Sequence, residues 1–550
     1  MKKWFSFVLI ATLILSMFTG FSFANESTLS SELKNADFVE GQLIFSVEAD
    51  ASFSLASTGD VTMQATTLKD KGFAIVDSLL AEGDDFSVQA FSNDFQAEVI
   101  ENMGLVYLVE YSHKEYKSIE EAKKYLTHVL QDLGYKVRYV SENYMMEAYE
   151  VLTSLDQVTD EITTSEIGME MHNNQRWHYE MIKAPQAWTI NQGSSNVKVA
   201  VLDTGIDHNH VDLRNFVNTG LGRTFVGGTT MDVQGHGTHV AGTIASYGSV
   251  SGVMKNATLI PVKVLGDDGR GSTYGVQQGV LYASSIGSDV INMSLGGGGY
   301  NQGMDEACAT AVARGTIVVA ASGNDSRGTI SYPAAYSSVI AVGSVTSNRT
   351  RSSFSNYGTG LEVMAPGSNI YSTFPNNQYR TYSGTSMATP HVAGVAGLIR
   401  SVNPSISVND ARNILRNTAQ NAGSFNEYGY GIVDAHAAVL AAGGNNEDPN
   451  TTTTTATTNK SSYTRGENVT LSATVKDHNN QALQGATVQF TITRPNGTTL
   501  SGSATTNASG VASWTVSTSF YTAIGTYQVQ ATSSKSGYSG SSGTTSFSVR

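Results

Sequence analysis

Four short runs of core-type residues, Val197–Leu202, Leu259–Leu265, Val290–Leu295 and Thr316–Ala321, recur between Asn196 and Ala320, with helical patterns such as Val276–Ser285 and Met304–Arg314 between them. A strand that is apolar on successive residues has both faces covered, and covered strands alternating with helices form a parallel sheet. No other feature constrains the chain as strongly, because in such a sheet the chemistry gathers at the carboxyl ends of the strands. This region is therefore expected to be α/β, a parallel sheet covered by helices.

The rest of the 550 residues reads differently. That length allows about three to five domains, and 40% hydrophobic content with a single cysteine excludes both an intrinsically disordered chain and a disulfide scaffold. Lys2 and Lys3, the apolar run Trp4–Phe18 and Ser22-Phe23-Ala24 have the parts of a secretory signal peptide, with cleavage expected after Ala24. The apolar run falls short of the roughly 20 residues that cross a bilayer. A secreted, extracellular product without a membrane anchor is expected, in which Cys308 is a packed residue of an Ala-rich helix.

Residues 25–171 hold 28 acidic against 9 basic groups, which more than accounts for the net charge of -14. Strand-like and helical patterns alternate there (Gln42–Val47, Leu68–Leu80, Leu105–Tyr111, Ser118–Leu133, Lys136–Val140), so a small α+β unit is expected. The tail from Glu142 to Glu170 has no basic residue and reads as a solvated, protease-accessible connector. After a polar linker at 444–459, segments such as Val469–Val475, Val488–Ile492 and Tyr527–Ala531 alternate apolar with polar residues, which predicts an all-β sandwich over 460–550. Trp514 is its core-anchor candidate, and no catalytic cluster is visible in it. The expected division is 1–24 leader, 25–171 acidic α+β segment, 172–443 α/β domain, 444–459 linker and 460–550 sandwich.

Three segments of the α/β region carry chemistry. A carboxylate closes a buried strand in Val199-Ala200-Val201-Leu202-Asp203-Thr204-Gly205; a Gly-flanked histidine enters a helix of small residues in Gly235-His236-Gly237-Thr238-His239; a serine opens another in Gly384-Thr385-Ser386-Met387-Ala388. Each alone is as well read as a cap or a turn. Amide hydrolysis near neutral pH needs a nucleophile stronger than a serine hydroxyl, and the three can supply it together: a histidine takes the serine proton during attack, and a buried aspartate fixes its tautomer and stabilises the imidazolium. The amide in Ser322-Gly323-Asn324-Asp325, at the end of a fourth strand, can donate to the oxyanion.

Together these segments resemble the three signatures of the subtilisin-like serine proteases, in the family's order Asp, His, Ser, over about Ile182 to Ala442. The resemblance implies that Asp203 orients, His236 is general base and acid, Ser386 is nucleophile, and Asn324 with the Ser386 amide forms the oxyanion hole. It implies that Ser294, Leu295 and Gly296 pair with an extended substrate from one side and Gly271 from the other, which gives broad specificity. Ser331, where many members have Gly, implies an S1 pocket of medium depth for apolar or aromatic side chains. Asp212 matches a family calcium ligand, whereas Tyr247–Ala257 is shorter than the family's calcium loop; structural calcium is the one cofactor implied, with no organic cofactor. The acidic segment resembles the family's inhibitory propeptides, with cleavage expected within 145–173. The implied partners are protein or peptide substrates and the chain's own propeptide as intramolecular inhibitor, with no nucleic acid and a monomeric state.

Other readings fail on the residues. Gly296–Gly299 lacks the Lys-Ser/Thr of a phosphate loop, His208, His210 and His239 lack zinc-site spacing, and no Gly-x-Ser-x-Gly elbow supports a lipase. A protein whose business is adhesion through its sandwich has no use for the intact set Asp203, His236, Asn324 and Ser386.

Overall fold

The structure, a computed structural model, describes residues 38–49, 66–80, 93–112, 114–149, 171–443, 452–477, 481–536 and 538–550. The expected leader, residues 150–170 of the acidic connector and 444–451 of the linker lie outside them. The chain divides into two compact units at Gly444.

The first unit begins with β1 (Phe38–Val47), β2 (Phe73–Ser78), β3 (Leu105–Tyr111) and β4 (Val137–Ala148), antiparallel in the order β4-β1-β3-β2, with helices α1 (Asn93–Met103) and α2 (Ile119–Asp132). Ser118 starts α2 by accepting the Glu121 N–H, and Ala122, Leu126, Val129 and Leu130 line the face that packs with Leu43, Phe45, Phe73 and Val109. Two expectations change here. The helical pattern after Leu68 stops at Asp70 and gives way to β2, and β4 does not end at Val140. It continues to Ala148, so Glu142–Tyr149 is not a solvated connector. Asn143, Met146 and Tyr149 are buried against residues more than a hundred positions downstream.

The larger part of the unit is a seven-stranded parallel sheet in the order β13-β12-β11-β9-β5-β7-β6. Its strands are β5 (Gly193–Asp203), β6 (Arg223–Thr224), β7 (Asn256–Lys263), β9 (Val290–Met293), β11 (Ile317–Ala321), β12 (Ile340–Val345) and β13 (Leu361–Pro366), while β8 (Arg270–Ser272), β10 (Leu295–Gly296) and the antiparallel pair β14 (Ile370–Phe374) and β15 (Gln378–Tyr382) stand outside it. Every residue of β9, β11, β12 and β13 is buried, as the apolar runs require. Helices α3 (His236–Ile244), α4 (Thr273–Ser285), α5 (Gln302–Ala313) and α6 (Thr385–Val402) cover the sheet. α6 is buried from Thr385 to Arg400, and its glycines let it lie close: a Cβ on Gly394 would stand 2.5 Å from Val253. Cys308 of α5 is fully buried.

The second unit is all β. One sheet is β16 (Thr452–Thr458), β18 (Asn468–Asp477) and β21 (Val511–Ser517), and the other is β17 (Ser462–Tyr463), β23 (Tyr538–Val549), β22 (Gly525–Lys535), β19 (Thr487–Thr493) and β20 (Thr499–Thr505). The threonine run counted with the polar linker is thus an antiparallel partner of β18, in keeping with the β-branched side chain of threonine. Trp514 is half-buried; it lies over Gly502 of β20, where a Cβ would meet its ring at 2.2 Å. Gly502→Ala should therefore overpack this contact and cost about 1–3 kcal/mol. Hydrogen exchange across 452–550 is expected to quicken, with protection of the parallel sheet unchanged.

Candidate functional site

The site forms where strands end and helices begin. Asp203 is the last residue of β5, His236 the first of α3, Ser386 the second of α6, and Asn324 follows β11. All but Asn324 are fully buried. His236 Nδ1 lies 2.7 Å from Asp203 Oδ1, which also accepts the Thr204 N–H at 2.8 Å. The close approach depends on Gly237: a Cβ there would stand 2.1 Å from Gly205 O and 3.2 Å from Asp203 Oδ1, so only glycine lets α3 start against the strand end.

Ser386 Oγ donates to Ser294 O at 2.8 Å, and Ser294 Oγ returns a bond to Ser386 O at 2.9 Å. Asn324 is oriented by Thr385, whose N–H and hydroxyl both donate to Asn324 Oδ1 at 2.9 Å. Its Nδ2 is left facing the cleft, where it donates to Tyr149 O at 3.0 Å. The cleft holds the chain's own β4 as an extended strand. Ala148 and Glu147 face Leu295 and Gly296 of β10, while Met145, Met146 and Glu147 face Ser272, Gly271 and Arg270 of β8, both antiparallel. The residues expected to grip an extended peptide from either side are thus brought together around one strand.

The ring of Tyr149 enters a pocket beside Gly296, where an added Cβ would meet it at 2.5 Å. Its hydroxyl bonds Ser331, which in turn accepts Asn356 Nδ2 at 3.2 Å, and burial pushes the Tyr149 phenol up. Tyr149 escaped the sequence reading because its partners lie far along the chain. Two supporting residues also escaped it: Asp232, a lone acid in a loop, and Lys263, a buried lysine whose Nζ donates to Thr204 O at 2.5 Å.

Of the Asp212 carboxylate, the implied calcium ligand, Oδ2 is taken by three donors, the N–H groups of Ser249 and Val250 at 3.0 and 3.1 Å and the Tyr379 hydroxyl at 2.8 Å, and so has no lone pair left for a cation. The adjoining Ser251 is bound at both backbone groups by the Gln175 amide, at 2.9 and 2.8 Å. Among the described residues no three His, Cys, Asp or Glu side chains converge as a metal site, and no helix is long and apolar enough to cross a membrane.

Three other histidines are buried near the site. His391 Nδ1 donates to Met387 O at 2.8 Å, so its Nε2 accepts from His178 Nδ1 at 2.9 Å, and His239 Nε2 donates to Ile370 O and Arg380 O. Burial lowers all three, His239 to about 3, His391 to about 4 and His178 well below its ordinary value.

The chain matches the Subtilase family over residues 194–431 and the MG2 domain over residues 454–549. It is 49% identical over 267 residues to the alkaline protease of Alkalihalobacillus alcalophilus, a stretch that covers 48% of this chain and 69% of that protein. It is 48% identical over 267 residues to subtilisin BL and to subtilisin Savinase, both of Lederbergia lenta, covering 48% of this chain and 97% of each.

The buried histidines set an acid limit. In the unfolded chain they bind protons below about 6.5, whereas in the fold they do so only near the lowered values, so their contribution is whole above about pH 6.5 and is lost as pH falls from there toward about 3. The urea midpoint should be level at pH 7–8 and decline over that window, and His391→Gln should make the decline shallower.

Proposed function

The chain belongs to the subtilase family and is a subtilisin-like serine endopeptidase, and on that premise we propose that Asp203, His236 and Ser386 are its triad and that it is a secreted zymogen which cuts its own Tyr149–Glu150 bond. The observation that carries this reading is the position of one carbonyl. Tyr149 O receives Asn324 Nδ2 at 3.0 Å, and Ser294 O, which accepts Ser386 Oγ at 2.8 Å, also accepts the Tyr149 N–H at 3.4 Å. A shared acceptor thus brings nucleophile and acyl residue together, with β4 paired on both sides as a substrate strand.

His236 Nε2 takes the proton as Ser386 Oγ turns from Ser294 O and attacks the Tyr149 carbonyl carbon. Asp203 holds Nδ1–H and stabilises the imidazolium. The oxyanion is received by Asn324 Nδ2 and by the Ser386 N–H in the first turn of α6, where amides have no partner within the helix. Return of the proton from His236 to the amine of Glu150 breaks the C–N bond and leaves Tyr149 esterified to Ser386. Water, deprotonated by His236, then releases the Tyr149 carboxylate and restores the serine. The same steps serve any peptide that can replace β4. Its main-chain pairing is common to all sequences and gives broad specificity, while the Gly296 and Ser331 pocket favours tyrosine and other aromatic residues before the cut.

On this reading the inhibitory segment is 25–149. The product begins at Glu150 with a formal charge of -3, and removal of 150–171 would raise it to +3. Ser386→Ala should lower catalysis by on the order of 10⁶ and leave the chain uncut; unchanged activity and processing would refute the triad. Amino-terminal sequencing of the wild-type product should read Glu-Val-Leu-Thr, and isoelectric focusing distinguishes the two charge states. A first cut elsewhere would overturn the assigned bond.

A further inference from the structure

Asp232 lies outside the three motifs and is 3% exposed. Its Oδ1 accepts the Thr204 hydroxyl at 2.9 Å and the Gly235 N–H at 2.8 Å, and its Oδ2 accepts the Thr238 N–H at 2.8 Å and the Thr238 hydroxyl at 2.6 Å. A hydroxyl that gives its proton to a carboxylate has its lone pairs directed elsewhere. Thr204 Oγ1 is thereby turned to accept the Gly237 N–H at 2.9 Å. The amides on both sides of His236 are thus tied to one carboxylate, directly through Gly235 and through Thr204 by way of Gly237. Thr204 in turn donates its own N–H to Asp203 Oδ1, the atom that faces His236 Nδ1.

We propose that Asp232 is a positioning residue for the catalytic triad, holding the Asp203 and His236 segments in register and supplying a second buried anion that favours the imidazolium. The proposal rests on the triad reading above. Around this cluster the charged and titratable groups are Asp203, Asp207, Lys263, His236 and His239. Lys263 is bonded to Thr204 O and to the exposed Asp267, and Asp207 lies on the far side of Thr238, whose hydroxyl accepts the Asp207 N–H. His239 is kept neutral by burial. With His236 neutral, three buried carboxylates face one ammonium, so a proton arriving on His236 reduces an excess of negative charge where screening is weak. Burial raises the Asp232 carboxyl, and its four donors oppose that rise.

The test uses the full chain carrying Asp232→Asn, Thr204→Val or Thr204→Ser, each allowed to process, with active enzyme counted by a serine-directed phosphonate whose attachment to Ser386 is read by mass spectrometry. Asp232→Asn should lower kcat per labelled site by about 10- to 100-fold with little change in KM, the scale expected when a reacting group is misplaced. The acid limb of its kcat/KM profile should move to lower pH. Thr204→Val should lower kcat in the same way, and Thr204→Ser, which keeps the hydroxyl, should recover most of that loss. If Asp232→Asn fails to fold, the Thr204 pair decides. An unshifted acid limb with kcat per labelled site at the wild-type value overturns the proposal, as does Thr204→Val equal to Thr204→Ser. Label found on a residue other than Ser386 in the wild type would refute the triad itself, a separate outcome.

Discussion

With both faces of the seven-stranded sheet covered, this domain has nowhere to place a working polar side chain except at strand ends and in the first turns of the covering helices. Asp203 ends one strand of the sheet, Ser294 and Asn324 follow two others, and His236 and Ser386 lie in the first turns of two helices packed on it. What arrives at that rim is buried, and a buried polar group must be bonded. The rim is accordingly dense with side chains that hold one another: Thr385 fixes the Asn324 amide, Ser294 and Ser386 exchange bonds, and Gly237 permits the contact on which the Asp203–His236 pair depends.

The parts legible in the sequence are those whose cause is local. Apolar runs over β5, β7, β9 and β11 reveal covered strands because each residue's burial is written in its own side chain, and the glycines around His236 and Ser386 mark tight approaches wherever they occur. Features whose cause is distant stayed hidden. Glu142–Tyr149 looks like an acidic tether because nothing nearby in sequence says that Leu295–Gly296 and Arg270–Ser272 flank it. Thr452–Thr458 looks like filler because the strand it pairs with, β18, lies further along the chain. Asp232 and Lys263 are ordinary charged residues until the fold buries them.

The same distinction explains Asp212. Its place nine residues after Asp203 carried the expectation of a metal ligand, but what a carboxylate binds is decided by what points at it. Here the shortened segment after Tyr247 brings two amides and the Tyr379 hydroxyl to the oxygen, so the loop is closed by the chain's own donors.

While the chain is intact, the strand that fills the cleft is tethered to the domain it fills. Its occupancy is then a matter of effective concentration, fixed by the length of the intervening chain and indifferent to how much protein is present. If the proposed cut severs that connection, the same main-chain pairing becomes an ordinary bimolecular equilibrium, sensitive to volume. A population of such molecules would wake slowly when crowded and quickly when diluted, and each free copy could digest the strands its neighbours release, so that onset follows a lag and then accelerates.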